Sequence, residues 1–303
     1  MNSFLFKDNI SHLDERTVYG EDKKHLFYID EDGYFISDWI GSGDMAEDKN
    51  VPVTYKINKD GFRSKHFQEF DKNKNSILFG GCSWTFGEGL PEEYSWTHLL
   101  KQKIEKETNK ELDLYNTAYM GSSIDLVIKN TMAFIRKYGK PTYIVLLFPD
   151  IARKIIYNNK TNGYIKAYAS PEFLTLPNHH IQKRYLLSYE YENNAYQHLS
   201  LIYMLEDYCK EAGIKLIWSS WFIPDYQVYD NCNFNFFIKQ DINENEDYFI
   251  ASRSIQDKNK LYYENKNNLP YWYVAKDNAH PGTAWTEFMS TLMFNKMIEN
   301  GTI

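Results

Sequence analysis

A serine follows a short apolar run in the segment SILFGGCSWTFGEGL, residues 76–90. The apolar run predicts a buried strand, so Ser83 lies directly beyond the strand's carboxyl end, where α/β proteins form their substrate crevice. Glycines allow tight turns and the close approach of a substrate, and four of them flank the serine: Gly80, Gly81, Gly87 and Gly89. The segment suits a nucleophilic serine, although ordinary strand-to-helix turns also contain glycine and serine.

Two later segments contain residues that could complete such a site. In KDNAHPGTAW, Asp277 and His280 are three residues apart, so a carboxylate could hold one imidazole nitrogen while the other faces a nucleophile. In YNTAYMGSS, Gly121 could offer its N–H to an oxyanion without a side chain in the way. Each feature also has a structural explanation: a loop cap for Asp277, a surface position for His280 and an ordinary turn for Gly121.

The elements that must position these residues follow from the hydrophobic pattern after residue 76. Strands are predicted at SILFGG, LDLYNTAY, TYIVLLF and IKLIWSSWF. Helices are predicted between and after them, at EYSWTHLLKQKIEKET, SIDLVIKNTMAFIRKYG, NNAYQHLSLIYMLEDYCKEAG and GTAWTEFMSTLMFNKMIEN. This alternation predicts βαβ units and a doubly wound parallel sheet. All the candidate site residues would then fall on the edge formed by the carboxyl ends of the strands.

The predicted strands and helices of the parallel sheet begin only after residue 70, so the chain divides into a short N-terminal part and a long main part. Residues 1–70 contain only short alternating runs, HLFYI and VTYKI, which predict strands too short for a core of their own. We therefore expect an N-terminal extension packed on a main domain of residues 71–303. Residues 224–270 are irregular and rich in asparagine, which indicates a long insertion in that domain.

Composition excludes several classes of function. The net charge of −7, without a basic stripe, argues against a nucleic-acid binder. Three cysteines form neither a disulfide framework nor a CxxC pair, and the N-terminus lacks the pattern of a signal peptide. No apolar run approaches the length of a membrane span. We expect a cytoplasmic protein with no metal or other cofactor; the pattern does not indicate an oligomeric state.

Together the motifs resemble those of the SGNH, or GDSL-like, hydrolase superfamily over about residues 76–299. GCSWTFG resembles its Gly-Asp-Ser block, which implies that Ser83 is the nucleophile. NTAYMGSS resembles the second block and implies that Gly121 belongs to the oxyanion hole, while DNAHP resembles the last block and implies that Asp277 orients a basic His280. The resemblance implies a three-layer α/β/α, flavodoxin-like fold that needs no cofactor.

Two further likenesses concern particular branches of this superfamily. The upstream segment INKDGFRS resembles one that precedes the serine block in some branches. Gly-Cys-Ser in place of Gly-Asp-Ser looks like a branch common in large tailed bacteriophages and some bacteria. For a phage protein, the expected location is the host cytoplasm or the virion.

The sequence departs from the superfamily pattern at two places. Cys82 replaces the aspartate before the serine, which also raises the alternative of a thiol nucleophile. In LLFPDIARK, Asp150 fits the third block, but Pro149 occupies the position of an asparagine that donates to the oxyanion. Arg153 could substitute as a donor or anchor the substrate, or it could be a surface or ion-pair residue.

The expected function is a serine esterase that removes O-acyl groups, such as acetyl, from a small-molecule or glycan ester. Aromatic residues make up 17% of the chain and suit stacking on sugar faces as well as core packing. Those expected near the crevice are Trp84, Trp96, Tyr119, Trp218, Trp221, Tyr271 and Trp272. The alternative is a catalytically silent protein of the same fold that binds glycans or serves as a structural module of the virion.

Overall fold

The computed structural model describes residues 26–39, 53–158, 163–168, 180–222, 225–240 and 280–303. The strands are β1 Leu26–Ile29, β2 Phe35–Trp39, β3 Val53–Ile57, β4 Ser76–Gly81, β5 Asp113–Asn116, β6 Tyr143–Phe148, β7 Arg153–Asn158, β8 Gly163–Tyr168 and β9 Lys215–Ser220. The helices are α1 Ser83–Phe86, α2 Trp96–Thr108, α3 Ile124–Tyr138, α4 His180–Leu187, α5 Tyr191–Ala212, α6 Tyr226–Asp230 and α7 Thr283–Glu299, with 3₁₀ turns at Phe67–Glu69 and Glu92–Tyr94.

A parallel sheet of strands β5-β4-β6-β9 forms the centre of the described structure. Strands β4 and β6 lie in the middle and are buried along their whole length, as expected for parallel strands covered on both faces. In chain order the sheet has the arrangement 2-1-3-4, which is how a flavodoxin-like sheet begins. The predicted α/β fold with a parallel sheet is therefore confirmed.

Helices cover both faces of this sheet and make three layers. Alternate strand residues point to opposite faces, so Leu78 packs in the core formed with α3 and α5. Its neighbours Ile77 and Phe79 pack in the core formed with α2 and α7. The predicted apolar face of α3 is buried as expected, at Ile124, Val127, Ile128, Thr131, Phe134 and Ile135.

Strands β1, β2 and β3 form an antiparallel sheet before the main sheet begins. The side chains of β3 alternate between buried and exposed positions, and the buried ones, among them Tyr55, pack against Phe86 and Ala118. Phe62 and Phe67 follow β3 and belong to the core of the main sheet. The N-terminal residues thus pack directly on the elements that follow β4 and β5.

Two parts of the chain contain structure that the sequence analysis did not predict. No element was predicted between the strand TYIVLLF and the helix NNAYQHLSLIYMLEDYCKEAG, but β7 and β8 form an antiparallel hairpin there, and α4 follows. The segment 224–270 looked irregular, but it contains α6, and Ile238 donates a backbone hydrogen bond to Trp218 of β9. The rest of that segment, from residue 241, lies outside the described residues. No helix among the described residues is long and apolar enough to span a membrane.

A buried carboxyl group lies beyond the end of β6. Asp225 accepts hydrogen bonds from the backbone N–H of Ile151 at 2.8 Å and from the hydroxyl of Tyr191 at 2.9 Å. Burial raises the pKa of Asp225 to about 7, and the neighbouring charge of Asp150 contributes in the same direction. In the unfolded chain the pKa returns to its ordinary value near 3.8, so the folded state binds more protons between pH 4 and 7.

Asp225 should therefore make the protein less stable as the pH rises from about 4 to 7, by on the order of 2–4 kcal/mol. Asp225→Asn keeps an acceptor for Ile151 and cannot ionise, so this variant should lose less stability over that range. Urea unfolding at several pH values measures the difference. Asp230→Asn, at the exposed end of the same helix, is the control and should follow the parent. Equal pH slopes for Asp225→Asn and the parent would contradict this account.

Candidate active site

The serine predicted as nucleophile is the first residue of α1, immediately beyond the central strand β4. The strand ends at Gly81, where an added Cβ would lie 2.6 Å from Thr85 Cβ and 2.9 Å from the carbonyl oxygen of Leu147. Only glycine fits this approach, and the chain turns there into a single helical turn. The carbonyl of Cys82 accepts the N–H groups of Thr85 and Phe86, which fixes that turn with Ser83 at its start.

The two candidate nucleophiles differ in access. The side chain of Cys82 is fully buried among the apolar residues of the α2 and α7 layer. Ser83 is 6% exposed and lies at the carboxyl edge of the sheet. This geometry favours the hydroxyl over the thiol.

The loop of Gly121 runs beside the nucleophile turn. After β5 the chain continues along β4, because Thr117 donates its N–H to Phe79 at 2.8 Å and Tyr119 donates to Gly81 at 3.2 Å. Gly121 follows two residues later with a φ of 69°, a conformation that favours glycine. Within the described residues, the backbone N–H groups of Ser83 and Gly121 have no acceptor. Both N–H groups are therefore available to an acceptor from outside the described residues.

Asn116 joins these two loops, and the sequence analysis assigned it no role. Its amide nitrogen donates to the carbonyl of Thr85 at 3.1 Å, and its side-chain oxygen accepts the N–H of Ala118 at 2.9 Å. The side chain is buried. The signal was present in the sequence, since this asparagine begins the quoted block NTAYMGSS, just after an apolar run.

His280 contacts the nucleophile loop through Glu88. The backbone N–H of Glu88 donates to the carbonyl of Ser83 at 3.1 Å, and Glu88 Oε2 lies 3.5 Å from His280 Nε2. Both side chains are mostly buried, with 13% and 19% exposure. The structure therefore brings His280 to the loop that follows Ser83, nearly two hundred residues away in sequence. Asp277 lies outside the described residues, and its role stays a prediction.

The sequence analysis did not identify Glu88 as a candidate. It occupies the position between two glycines in GEG, where an acidic side chain looks like ordinary loop composition. A carboxylate beside an imidazole favours the protonated form of the ring. The pair could therefore stabilise an imidazolium that forms during catalysis.

A stack of aromatic rings lies beside the nucleophile turn. Trp84, the residue after Ser83, stacks on Trp221 at 4.7 Å and meets Trp285 edge-on at the same distance. The guanidinium of Arg153 lies over the Trp221 ring, 5.2 Å from its centroid. Arg153 thus contacts the stack that contains the residue after Ser83, while Pro149 offers no side-chain donor.

Three other aromatic residues predicted near the crevice are buried in the protein core instead. Trp96 and Trp218 are fully buried in the two cores, and Tyr119 is nearly so. Burial raises the pKa of Tyr119 to about 12, so its phenol stays neutral. Tyr271 and Trp272 lie outside the described residues. Among the described residues, no group of three acidic, histidine or cysteine side chains could hold a metal ion.

No protein-family model matches the chain, and no curated protein matches it. Among solved structures, the chain is similar to the psychrotrophic esterase EstA from Pseudoalteromonas sp., with 13% identity and a TM-score of 0.40 over 75% of this chain and 98% of that one. It is also similar to the acetyl xylan esterase AlAXEase, with 11% identity and a TM-score of 0.39 over 73% and 98%.

A third similar structure is described as a GDSL-like lipase from Parabacteroides merdae, with 13% identity and a TM-score of 0.37 over 75% of this chain and 96% of that one. The superfamily that the sequence motifs resemble, and its phage-like branch, remain predictions. Because the identities and scores are low, the function proposed below depends on the residues of this chain.

The close approach at Gly81 can be tested by stability. Gly81→Ala places a methyl group against the Thr85 Cβ and a backbone oxygen, neither of which can move aside easily. Gly80→Ala, the matched neighbour, meets only side-chain atoms of Leu146, Thr131 and Val127. Urea unfolding should show a loss of about 1–3 kcal/mol for Gly81→Ala and a smaller loss for Gly80→Ala. The opposite order would show that the turn after β4 is not constrained as described.

Proposed function

We propose that this protein is a serine ester hydrolase with Ser83 as nucleophile and His280 as general base. The observation that supports it most directly is the contact of His280 with Glu88, a residue whose N–H binds the carbonyl of Ser83. This contact brings the imidazole to the loop that follows Ser83. In the proposal the ring also reaches the Ser83 hydroxyl, as acyl transfer requires.

The proposed reaction has two halves. His280 takes the hydroxyl proton of Ser83 as Ser83 Oγ attacks the ester carbonyl carbon, and the N–H groups of Ser83 and Gly121 bind the oxyanion. The carbon–oxygen bond to the alcohol then breaks, and the imidazolium gives its proton to that leaving alcohol. Water, deprotonated by His280, next attacks the acyl-enzyme, and the acid is released with Ser83 restored. We assign Asp277 to orient the imidazole.

Pro149 leaves the proposed oxyanion hole with one donor fewer than the superfamily pattern implies. Loss of one such donor typically costs about 10²–10³ in kcat. Arg153 is the candidate replacement, because its guanidinium lies over Trp221, the ring that stacks on Trp84 beside Ser83. In this proposal Arg153 donates to the oxyanion or anchors a polar part of the substrate.

The proposed substrate is an O-acylated, most plainly O-acetylated, carbohydrate. Support comes from the rings beside Ser83: Trp221 is partly exposed, stacks on Trp84 and has the Arg153 guanidinium over its ring, so the group offers apolar surface beside a cationic donor. Such surfaces bind sugar faces through dispersion and the exclusion of water. A catalytically silent glycan-binding or virion-associated protein is the second candidate, favoured by one observation, the proline in the donor position of the third block.

Substitution of the two central residues separates these candidates. Ser83→Ala and His280→Ala should each reduce hydrolysis of a short-chain chromogenic ester and of an acetylated xylo-oligosaccharide by at least about 10³-fold, because each removes a group that takes part in bond making. The controls are Ser290→Ala and His98→Ala, which lie on helices α7 and α2. Both controls should retain the parent's kcat/KM.

Two results would count against the proposal. Equal rates in the parent, Ser83→Ala and His280→Ala would remove the assignment of the catalytic residues. A folded parent that turns over no ester but binds acetylated glycans would favour the silent binding protein.

The charge of Glu88 makes a separate prediction about pH dependence. Glu88→Gln preserves the backbone hydrogen bond to Ser83 and removes a negative charge 3.5 Å from the imidazole. Without that charge the protonated ring is less favoured, so the acid limb of the kcat/KM profile should move to lower pH. Glu107→Gln, an exposed position on α2, should leave the profile unchanged. An acid limb that stays in place or moves to higher pH in Glu88→Gln would refute a direct electrostatic effect.

A further inference from the structure

Arg63, in the N-terminal part of the chain, holds the loop that follows the proposed nucleophile. Its Nη1 donates to the carbonyl oxygens of Gly87 at 2.8 Å and Phe86 at 3.2 Å, and its Nη2 donates to that of Leu90 at 3.0 Å. Three carbonyls within five residues are thus bound by one planar group. The fixed fork of the guanidinium suits this task, which a single ammonium group could not perform.

The burial of this arginine indicates a specific role. Its side chain is 4% exposed, and burial lowers the pKa of the guanidinium. No described carboxylate forms an ion pair with Arg63; the charge is compensated by the three carbonyls and by the Tyr55 ring, 4.7 Å away. Burying a charge in this way is costly, and an apolar residue of the same volume would fill the space without that cost.

Neighbouring residues of the N-terminal segment support the same loop. Tyr55 accepts the N–H of Gly89 at 2.8 Å, and Ser64 accepts the N–H of Asn116 at 2.9 Å. Asn58 accepts the N–H of Phe62 and, with the left-handed Gly61, forms the tight turn that precedes Arg63. The segment INKDGFRS is therefore a compact turn that presents an arginine and a serine to the two loops of the site.

The loop that Arg63 binds contains the residue that contacts both Ser83 and His280. It contains Glu88, whose N–H binds the carbonyl of Ser83 and whose carboxylate faces His280. We propose that Arg63 is a positioning residue: by fixing the carbonyls of residues 86, 87 and 90, it holds Ser83 and Glu88 in register with His280. This inference rests on the proposed esterase function and assigns a role in it to the N-terminal extension.

The test compares kcat with KM in variants at Arg63. Arg63→Met keeps the volume but removes all donors, and Arg63→Lys retains a donor for one or two of the carbonyls. We expect kcat to fall about 10–100-fold in Arg63→Met with KM changed less than threefold, and Arg63→Lys to be intermediate. Phe62→Leu, a neighbouring core change that leaves the guanidinium contacts in place, controls for loss of stability.

A pair of glycine variants tests the same contact from the other side. Gly87→Ala adds a methyl group 3.1 Å from Arg63 Nη1 and 3.3 Å from Ser95 Cβ at a φ of 76°, whereas Gly213→Ala adds one at a φ of 70° with nothing within 4 Å. Both glycines cap the end of a helix in the left-handed conformation, so the backbone strain is matched. Gly87→Ala should lower kcat as Arg63→Met does, and Gly213→Ala should lower only stability.

Hydrogen exchange of the peptide covering residues 83–90 gives a readout that needs no activity. Arg63→Met should exchange faster there, while Phe62→Leu should not, at temperatures where both are folded. Inactivity of the parent on every ester would refute the proposed function, and the exchange result would then decide the positioning role alone. An active parent with unchanged kcat in Arg63→Met and Gly87→Ala, or unchanged exchange at residues 83–90, would overturn the inference.

Discussion

The close packing at the end of the central strand is the constraint on which the candidate site depends. Gly81 lies so near Thr85 and the backbone of β6 that no side chain fits, and the chain must turn at once into α1. That turn is short, and the carbonyl of Cys82 holds it by accepting two N–H groups. As a result Ser83 stands at the edge of a rigid sheet, which limits its freedom before any substrate binds.

The other parts of the site are arranged around this turn by hydrogen bonds to its backbone. Asn116 binds the carbonyl of Thr85, Arg63 binds those of Phe86, Gly87 and Leu90, and Glu88 binds that of Ser83. Asn116 and Arg63 come from distant parts of the chain, whereas Glu88 belongs to the loop that follows Ser83. The segment that follows β3 thereby takes part in the architecture of the site, and His280 meets the same loop from the C-terminal part of the chain.

The sequence predicted the regular elements well because they are strongly periodic. The all-apolar strands β4 and β6 and the amphipathic helix α3 lie where the pattern placed them, since burial on two faces or on one stripe constrains every residue. The hairpin β7–β8 was not predicted, because its strands, RKIIYN and GYIKAY, mix charged, polar and apolar residues and lack the continuous apolar run of β6. The residues around Ser83 were identified by type and spacing, whereas Arg63, Glu88 and Asn116 act through backbone carbonyls and through contacts between distant segments. Spacing along the chain contains no information about such contacts.

The most direct test of the account is covalent trapping by a fluorophosphonate, which reacts with an activated serine hydroxyl. Intact mass and peptide mapping should show one adduct per chain on Ser83 of the native protein. The rate of labelling should fall sharply in His280→Ala, since the imidazole activates the hydroxyl. No adduct on the folded parent, an adduct on another residue, or an equal rate without His280 would contradict the claim that these distant segments converge to make Ser83 reactive.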